Sequence, residues 1–215
     1  MIFQDRSDAG RQLAEQLTHL RDADPVVLAL PRGGVVVAWP VAQKLAAPLD
    51  VLIVRKLGAP GQPEFGFGAT TGDVRVLDED SIRILGLTAK QIDLVTAVES
   101  QEAQRRQRVY RGDRNPVKVQ GRTAIVVDDG LATGVTAKAA IRALRHDEPA
   151  RIVLAIPVAP RLALDQLGHD ADEVVCLQTP SNFHAVGQWY HDFRQTEDAE
   201  VIELLERARR ELPNE

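Results

Sequence analysis

Short runs that are apolar almost throughout restrict the folds open to this chain more than any other feature. They are Val26-Val27-Leu28-Ala29-Leu30, Leu49–Val54, Thr123–Val127, Ile152–Pro157 and Glu173-Val174-Val175-Cys176-Leu177. A strand with one wet face alternates apolar and polar residues. These runs do not alternate, so both faces of their sheet must be covered. Helical patterns fall between them. Ser7 or Asp8 is placed to cap a first helix running to about Leu20, with Leu13, Leu17 and Leu20 on one face. Gly34–Leu45 reads as a helix with Pro40 inside it, where a kink or an early turn is expected. Thr88 caps a long polar helix to about Arg111. Thr136–Leu144, Arg161–Leu167 and Glu197–Leu212 follow, the last with Val201, Leu204, Leu205, Ala208 and Leu212 on one stripe. The second strand ends on Arg55-Lys56. After it the Gly/Pro-rich stretch Gly58–Pro63 reads as a loop, and Phe65–Thr71 with Val74–Leu77 as a β-hairpin turned by Gly72-Asp73. Strands alternating with helices imply an α/β domain on a mostly parallel sheet with helices on both faces.

The 215 residues suffice for one well-buried domain. A net charge of −5 argues against a general nucleic-acid or anionic-membrane binder, though not against a local cationic pocket. The single cysteine, Cys176, has no intrachain disulfide partner, so a reducing cytosol is expected. The N-terminal stretch Met1–Arg6 lacks the apolar core of a signal peptide, and no apolar run approaches the length of a membrane span. The expected location is cytoplasmic.

Chemistry concentrates in Ile125-Val126-Val127-Asp128-Asp129-Gly130-Leu131-Ala132-Thr133-Gly134-Val135-Thr136. A buried strand runs into two adjacent carboxylates, then into a small-residue turn with two hydroxyls that opens a helix. The first N–H groups of a helix have no intrahelical partner, and its dipole places partial positive charge there, so the turn suits a phosphate monoester. Gly134 permits close backbone approach, and Thr133 and Thr136 add hydroxyl donors. Asp128 and Asp129 stand at the rim of the sheet, where they suit a ribose diol or Mg2+. The plainer alternative is a buried strand, a polar turn and a helix capped at or near Thr133. Two unpartnered carboxylates at a strand end are costly under that alternative.

This segment resembles the phosphoribosyl-pyrophosphate (PRPP) motif of type I phosphoribosyltransferases: four apolar residues, two acids, two variable residues and a Thr/Gly/Thr-rich loop. The resemblance implies a Rossmann-like fold of that type with a small C-terminal hood. As one domain over 1–215, it would have a core of about 1–177, a hood of about 178–195 and a final helix at 197–213. It implies that Asp128 and Asp129 hold the ribose hydroxyls, with Mg2+ in attendance as cofactor. Gly130, Leu131, Ala132, Thr133, Gly134, Val135 and Thr136 would form the loop around the 5′-phosphate. After the first strand, Arg32, Gly33 and Gly34 correspond to the family's pyrophosphate loop, which often contains an unusual cis peptide. Arg32 adds a forked cation suited to phosphate oxygens.

Arg55 and Lys56 fall where many type I enzymes have a mobile loop that closes over PRPP. They are expected to stabilise charge developing on the departing pyrophosphate. Gly66-Phe67-Gly68-Ala69-Thr70-Thr71-Gly72 is not a dinucleotide fingerprint, since its spacing differs and no helix follows. Aromatic residues are only 4% of the chain, yet Phe183, Trp189, Tyr190 and Phe193 cluster after the last strand. The family places its hood there, so Phe183, Trp189 and Tyr190 are candidates to stack on an acceptor ring or, alternatively, to pack the hood onto the core. His184 and His191 are candidate proton carriers, with a surface or packing role as the alternative. In 6-oxopurine enzymes an acid stands at the position of Ala132, which cannot move a proton.

The activity implied is phosphoribosyl transfer from PRPP to a nitrogenous acceptor, a nucleobase by class, with release of pyrophosphate. Two other functions fit the same residues: a regulator that binds PRPP or a nucleotide without turnover, and a hydrolase of a phosphorylated sugar or nucleotide. Arg105, Arg106, Arg108, Arg111 and Arg114 read as a solvated helix face, with RNA binding as a lesser alternative. A homodimer is compatible with the family.

Overall fold

The computed structural model describes residues 2–71 and 74–212. Five strands form a parallel sheet: β1 (Pro25–Ala29), β2 (Leu49–Val51), β6 (Thr123–Val127), β7 (Arg151–Val158) and β8 (Glu173–Gln178). Their order is β2-β1-β6-β7-β8, with every adjacent pair parallel. Both central strands, β1 and β6, are buried along their whole length. Helices cover the two faces. On one face α1 (Arg6–Gln16), α2 (Gly33–Leu45) and α7 (Asp198–Glu211) bury Leu13, Val41 and Leu205 against Val27, Ile125 and Val153. On the other, α5 (Val135–Leu144) and α6 (Arg161–Leu167) bury Ile141 and Leu167 against Leu28, Val126 and Leu154.

A second sheet is antiparallel, in the order β3 (Arg55–Ala59), β4 (Gln62–Thr70), β5 (Arg75–Leu77). It packs beside α3 (Glu79–Leu85) and α4 (Ala89–Arg111) around Leu57, Ala59, Phe67 and Ile92.

The layered α/β architecture follows the sequence expectation, while several boundaries move. Arg55 and Lys56 do not end the second strand: β2 stops at Val51 and Arg55 opens the antiparallel sheet. The expected loop Gly58–Pro63 belongs mostly to β3 and β4, because the reversal needs only Pro60 and Gly61, the glycine at φ 78°. The pairing of β4 with β5 is as expected, but the proposed turn residues Gly72 and Asp73 lie outside the described residues, as does residue 213 of the final helix. Asp5, not Ser7 or Asp8, caps α1 by accepting from the Asp8 N–H, and α1 ends at Gln16 with a short 3-10 turn over Thr18–Leu20. Thr88 caps α4 as expected, in a capping box with Gln91. Pro40 sits within α2, near the crossing with α1, where a Cβ on Gly10 would stand 2.4 Å from the Val37 carbonyl oxygen. Not all of the arginines form a solvated face. Arg111 turns inward, and its Nε donates to both Asp50 oxygens at 2.8 and 3.0 Å.

Candidate active site

Two helices begin side by side beyond the carboxyl ends of the two central strands. β1 and β6 are adjacent, in register Ala29↔Val127, and the Leu30 N–H donates to the Val127 carbonyl at 2.8 Å. From β1 the chain passes through Pro31-Arg32 into α2 on one face. From β6 it passes through Asp128–Gly134 into α5 on the opposite face. Connections leaving adjacent strands for opposite faces open a crevice at the sheet edge, the usual ligand site of such sheets. Among the described residues neither α2 nor α5 has a side-chain cap. Their leading N–H groups are therefore available to an anion.

The loop from Leu131 to Thr136 is open where a phosphate would lie. Ala132, Thr133, Val135 and Thr136 are exposed, while Leu131 and Gly134 are buried. Gly134 caps α5 at φ 73°, and a Cβ there would stand 2.9 Å from Leu167 Cδ1. Its glycine thus serves both a left-handed turn and close packing on α6. Gly130 meets the hood: a Cβ on it would stand 2.5 Å from Val186 Cγ1.

At the other helix start, the Pro31–Arg32 peptide is cis. A Cβ on Gly33 would stand 2.0 Å from Asp129 Oδ2, and one on Gly34 would stand 2.8 Å from the Val127 carbonyl oxygen. The paired glycines allow α2 to start directly against the acids.

Each acid has a partner within the protein, and the two carboxyls are also hydrogen-bonded to each other. Asp128 Oδ1 accepts from the Asp129 N–H at 2.8 Å, and Asp129 Oδ2 accepts from Arg6 Nε at 2.7 Å. Burial, then the Asp129 charge, pushes the Asp128 carboxyl well above the usual carboxylate range. Burial also raises Asp129, against the opposing pull of Arg6. Arg6 is the residue that sequence reasoning missed. It stands 123 positions from Asp129, and no local pattern links the two.

The hood closes over this point. Tyr190 is buried, its ring between Phe3 and Phe193 at centroid distances of 5.4 and 5.0 Å. Its hydroxyl donates to the Asp129 carbonyl at 2.5 Å, and burial pushes its pKa up. Phe183 and Trp189 are half-buried on the same cluster. The Trp189 indole nitrogen is buried without a hydrogen-bond partner among the described residues. His184 and His191 are exposed.

Arg55 and Lys56 lie on opposite faces of β3. Arg55 faces α4, where Nη2 stands 2.7 Å from Glu99 Oε2. Lys56 is paired across the sheet with Ala69, and its stem lies against Gly66. Ala69 and Gly66 line a cavity of ≈290 Å3 whose other wall is Thr133, Gly134, Val135, Lys138 and Arg142. Lys56 therefore shares the sheet face turned toward the Thr133–Val135 turn, and Arg55 does not. Arg32 meets α4 instead of standing alone: with Arg105, Arg106, Tyr110 and Asp198 it lines a cavity of ≈150 Å3. Arg105 and Arg106 hold Glu102 at about 2, and burial with the Asp198 hydrogen bond pushes Tyr110 up to about 12.

Among the described residues, no group of three or more His, Cys, Asp and Glu side chains is placed to hold a metal ion. The adjacent carboxylates of Asp128 and Asp129 fit the sparser demand of Mg2+, which takes one or two carboxylates and completes its shell with water and substrate phosphates. No helix among the described residues is long and apolar enough to cross a membrane.

The family model for the phosphoribosyl transferase domain matches residues 3–194. Two Mycobacterium tuberculosis proteins, MT0597 and Rv0571c, provisionally named phosphoribosyl transferases, are each 51% identical over 212 residues, covering 98% of this chain and 48% of theirs. The chain thus spans about half the length of the curated relatives it matches. The crystal structure of TT1426 from Thermus thermophilus is 42% identical, covers 95% of this chain and 98% of its own, and superposes with a TM-score of 0.87. The AQ2163 protein of Aquifex aeolicus shares the fold alone, at 12% identity and a TM-score of 0.50, with 85% of this chain and 78% of its own covered.

Proposed function

This chain belongs to the phosphoribosyl transferase domain family, and from that premise we propose that it transfers the phosphoribosyl group of PRPP to a nitrogen acceptor, a nucleobase by class, releasing pyrophosphate. One observation carries the proposal: α2 and α5 begin, without side-chain caps, on either side of two adjacent carboxylates.

In this reading the 5′-phosphate lies on the open loop, against the N–H groups at the start of α5 and the hydroxyls of Thr133 and Thr136. Asp128 and Asp129 accept hydrogen bonds from the ribose hydroxyls. The pyrophosphate lies on Arg32, Gly33 and Gly34, with the guanidinium of Arg32 as its cation. Asp128 or Asp129 would hold Mg2+, which would neutralise charge on the leaving group. Lys56 serves the same charge from the second sheet once that sheet closes on the loop. Arg55, tied to Glu99, supports α4 and acts on the site only if that pair opens. The acceptor lies under the hood near Phe183 and Trp189, and Tyr190 holds the Asp129 backbone beneath it. The acceptor nitrogen attacks the anomeric carbon as the carbon–pyrophosphate bond breaks, and positioning with charge stabilisation carries the rate. The whole is one phosphoribosyltransferase domain working in the cytoplasm, where the lone half-buried thiol Cys176 has no need of a disulfide partner. A homodimer is the oligomer we propose.

Calorimetry with Mg2+ and PRPP tests the site. The Asp128→Asn/Asp129→Asn double variant is expected to lose PRPP binding by at least about 100-fold, since each lost charge-assisted contact costs about 1.5–3 kcal/mol. Unchanged affinity would remove the basis of the proposal. A second reading, PRPP binding without turnover, is favoured by the exposed methyl of Ala132 where a proton-transferring acid would stand in purine enzymes. Pyrophosphate release across a panel of bases separates the two.

A further inference from the structure

Arg6 joins three parts of the molecule that lie far apart in sequence. Its Nε donates to Asp129 Oδ2 at 2.7 Å, its Nη1 donates to the Arg194 carbonyl at 2.8 Å, and its guanidinium lies 3.9 Å from the centroid of the Phe193 ring. Only 11% of its side chain and 17% of that of Asp129 are exposed. A single planar fork thus grips an acid of the PRPP motif on one edge, the backbone of the hood on another, and an aromatic ring of the hood on its face.

The surroundings fix this arrangement from every side. Gly33 leaves room for it, since a Cβ there would stand 2.6 Å from Arg6 Nε as well as 2.0 Å from Asp129 Oδ2. Tyr190 of the hood holds the backbone of the same aspartate through its carbonyl. Asp129 is therefore held twice by elements outside its own loop, at its carboxylate by α1 and at its carbonyl by the hood. Arg6 takes Oδ2, and the Asp128 carboxyl is hydrogen-bonded to the same aspartate. Held in this way, the carboxylate is not free to rotate, and the direction in which it faces a ligand is set.

We propose that Arg6 is a positioning residue: it aims the second oxygen of Asp129 at a ribose hydroxyl and makes that aim depend on the hood through Phe193 and Arg194. This rests on the phosphoribosyl reading of the site and deepens it. Binding of the sugar phosphate and seating of the acceptor cover become coupled through one guanidinium, so a hood displaced from Phe193 loosens the ribose acid without touching the ligand.

The test is PRPP affinity with Mg2+, by calorimetry, in a small set of variants with thermal melts run alongside. Arg6→Gln is expected to weaken PRPP about 10-fold, the scale seen when a supporting partner is removed from a ligating group. Arg6→Lys, which keeps one donor for Asp129, is expected to recover most of that loss. Phe193→Ala is expected to weaken PRPP about 3-fold when Arg6 is present and to have no further effect in the Arg6→Gln background, because its influence passes through Arg6. A purely structural role for Arg6 would give no such dependence. The proposal is overturned if Arg6→Gln binds PRPP as wild type does, or if the Phe193→Ala loss is undiminished in the Arg6→Gln background. Should Arg6→Gln fail to fold, Arg6→Met, which keeps the stem and removes every donor, supplies the same comparison with and without Phe193→Ala, and full additivity there overturns the proposal equally. If the Asp128→Asn/Asp129→Asn variant loses PRPP while Arg6→Gln does not, the inference falls and the phosphoribosyl reading stands. If wild type does not bind PRPP, both fall.

Discussion

The two sheets of this protein are built on opposite plans. The five-stranded sheet is parallel, and its central strands β1 and β6 are buried on both faces by helices packed from either side. The three-stranded sheet is antiparallel, its strand β5 is partly exposed, and its core is a small cluster around Leu57, Ala59, Phe67 and Ile92. Both helix starts and both acids of the candidate site come from the first sheet. The second contributes one wall of the cavity beside Thr133, Gly134 and Val135. The candidate site thus stands on the part of the molecule with the larger core and faces the part with the smaller one.

The largest expected effect lies in the parallel sheet. Ile125→Ala deletes a fully buried side chain from the motif strand and is expected to cost about 4 kcal/mol, lowering the Tm of the whole protein. A loss confined to one region would contradict the view of that sheet as the common scaffold. Next is Phe67→Ala, which removes the largest side chain of the small core at a cost of about 3 kcal/mol. Hydrogen exchange should show protection lost in β3–β5 while β1, β6 and β7 stay protected. Uniform loss over both sheets would erase the distinction between them.

A smaller effect, of opposite sign, is expected at the site. Asp128 is held above its ordinary pKa by burial and by Asp129, so the folded state keeps its proton at pH values where the unfolded chain has released it. Stability from this group is present at low pH and declines as pH rises from about 3.9 toward the folded value. Asp128→Asn retains the acceptor for the Asp129 N–H and removes the buried charge. It is expected to stabilise the protein by about 1 kcal/mol at pH 7, a gain that vanishes below about pH 4. Destabilisation at pH 7 in thermal melts would refute the charge argument. The smallest effect belongs to the rim of the second sheet. Arg75 and Asp93 pair at 2.8 Å with 39% and 69% of their side chains exposed, and Asp93→Asn is expected to change stability by less than about 0.5 kcal/mol.

Local patterns reached some of these features and missed others for identifiable reasons. The strands β1 and β6, the capping box at Thr88 and the helix Arg161–Leu167 were legible because each is written in consecutive residues. The antiparallel sheet was read in part. Its second hairpin was visible in alternation, while its first was hidden by glycines and prolines whose composition resembles a loop. Helix α3 was missed because, at seven residues with none of them fully buried, its only inward pair, Ile82 and Leu85, is too short a pattern to read as a helix.

Sequence alone determined that a buried parallel sheet would end in two carboxylates followed by a helix start, because strand burial, turn chemistry and helix initiation are all short-range properties of the chain. It also determined that Gly33 and Gly34 would open the neighbouring helix. Only the tertiary structure decided that the two helix starts are neighbours on opposite faces, that Arg55 and Lys56 part company across a strand, and that Arg6 grips Asp129. These depend on strand order and on contacts between residues far apart along the chain. An arginine carries no local mark of the acid it will meet, since its long side chain and unsaturated donors suit any carboxylate that packing brings within reach.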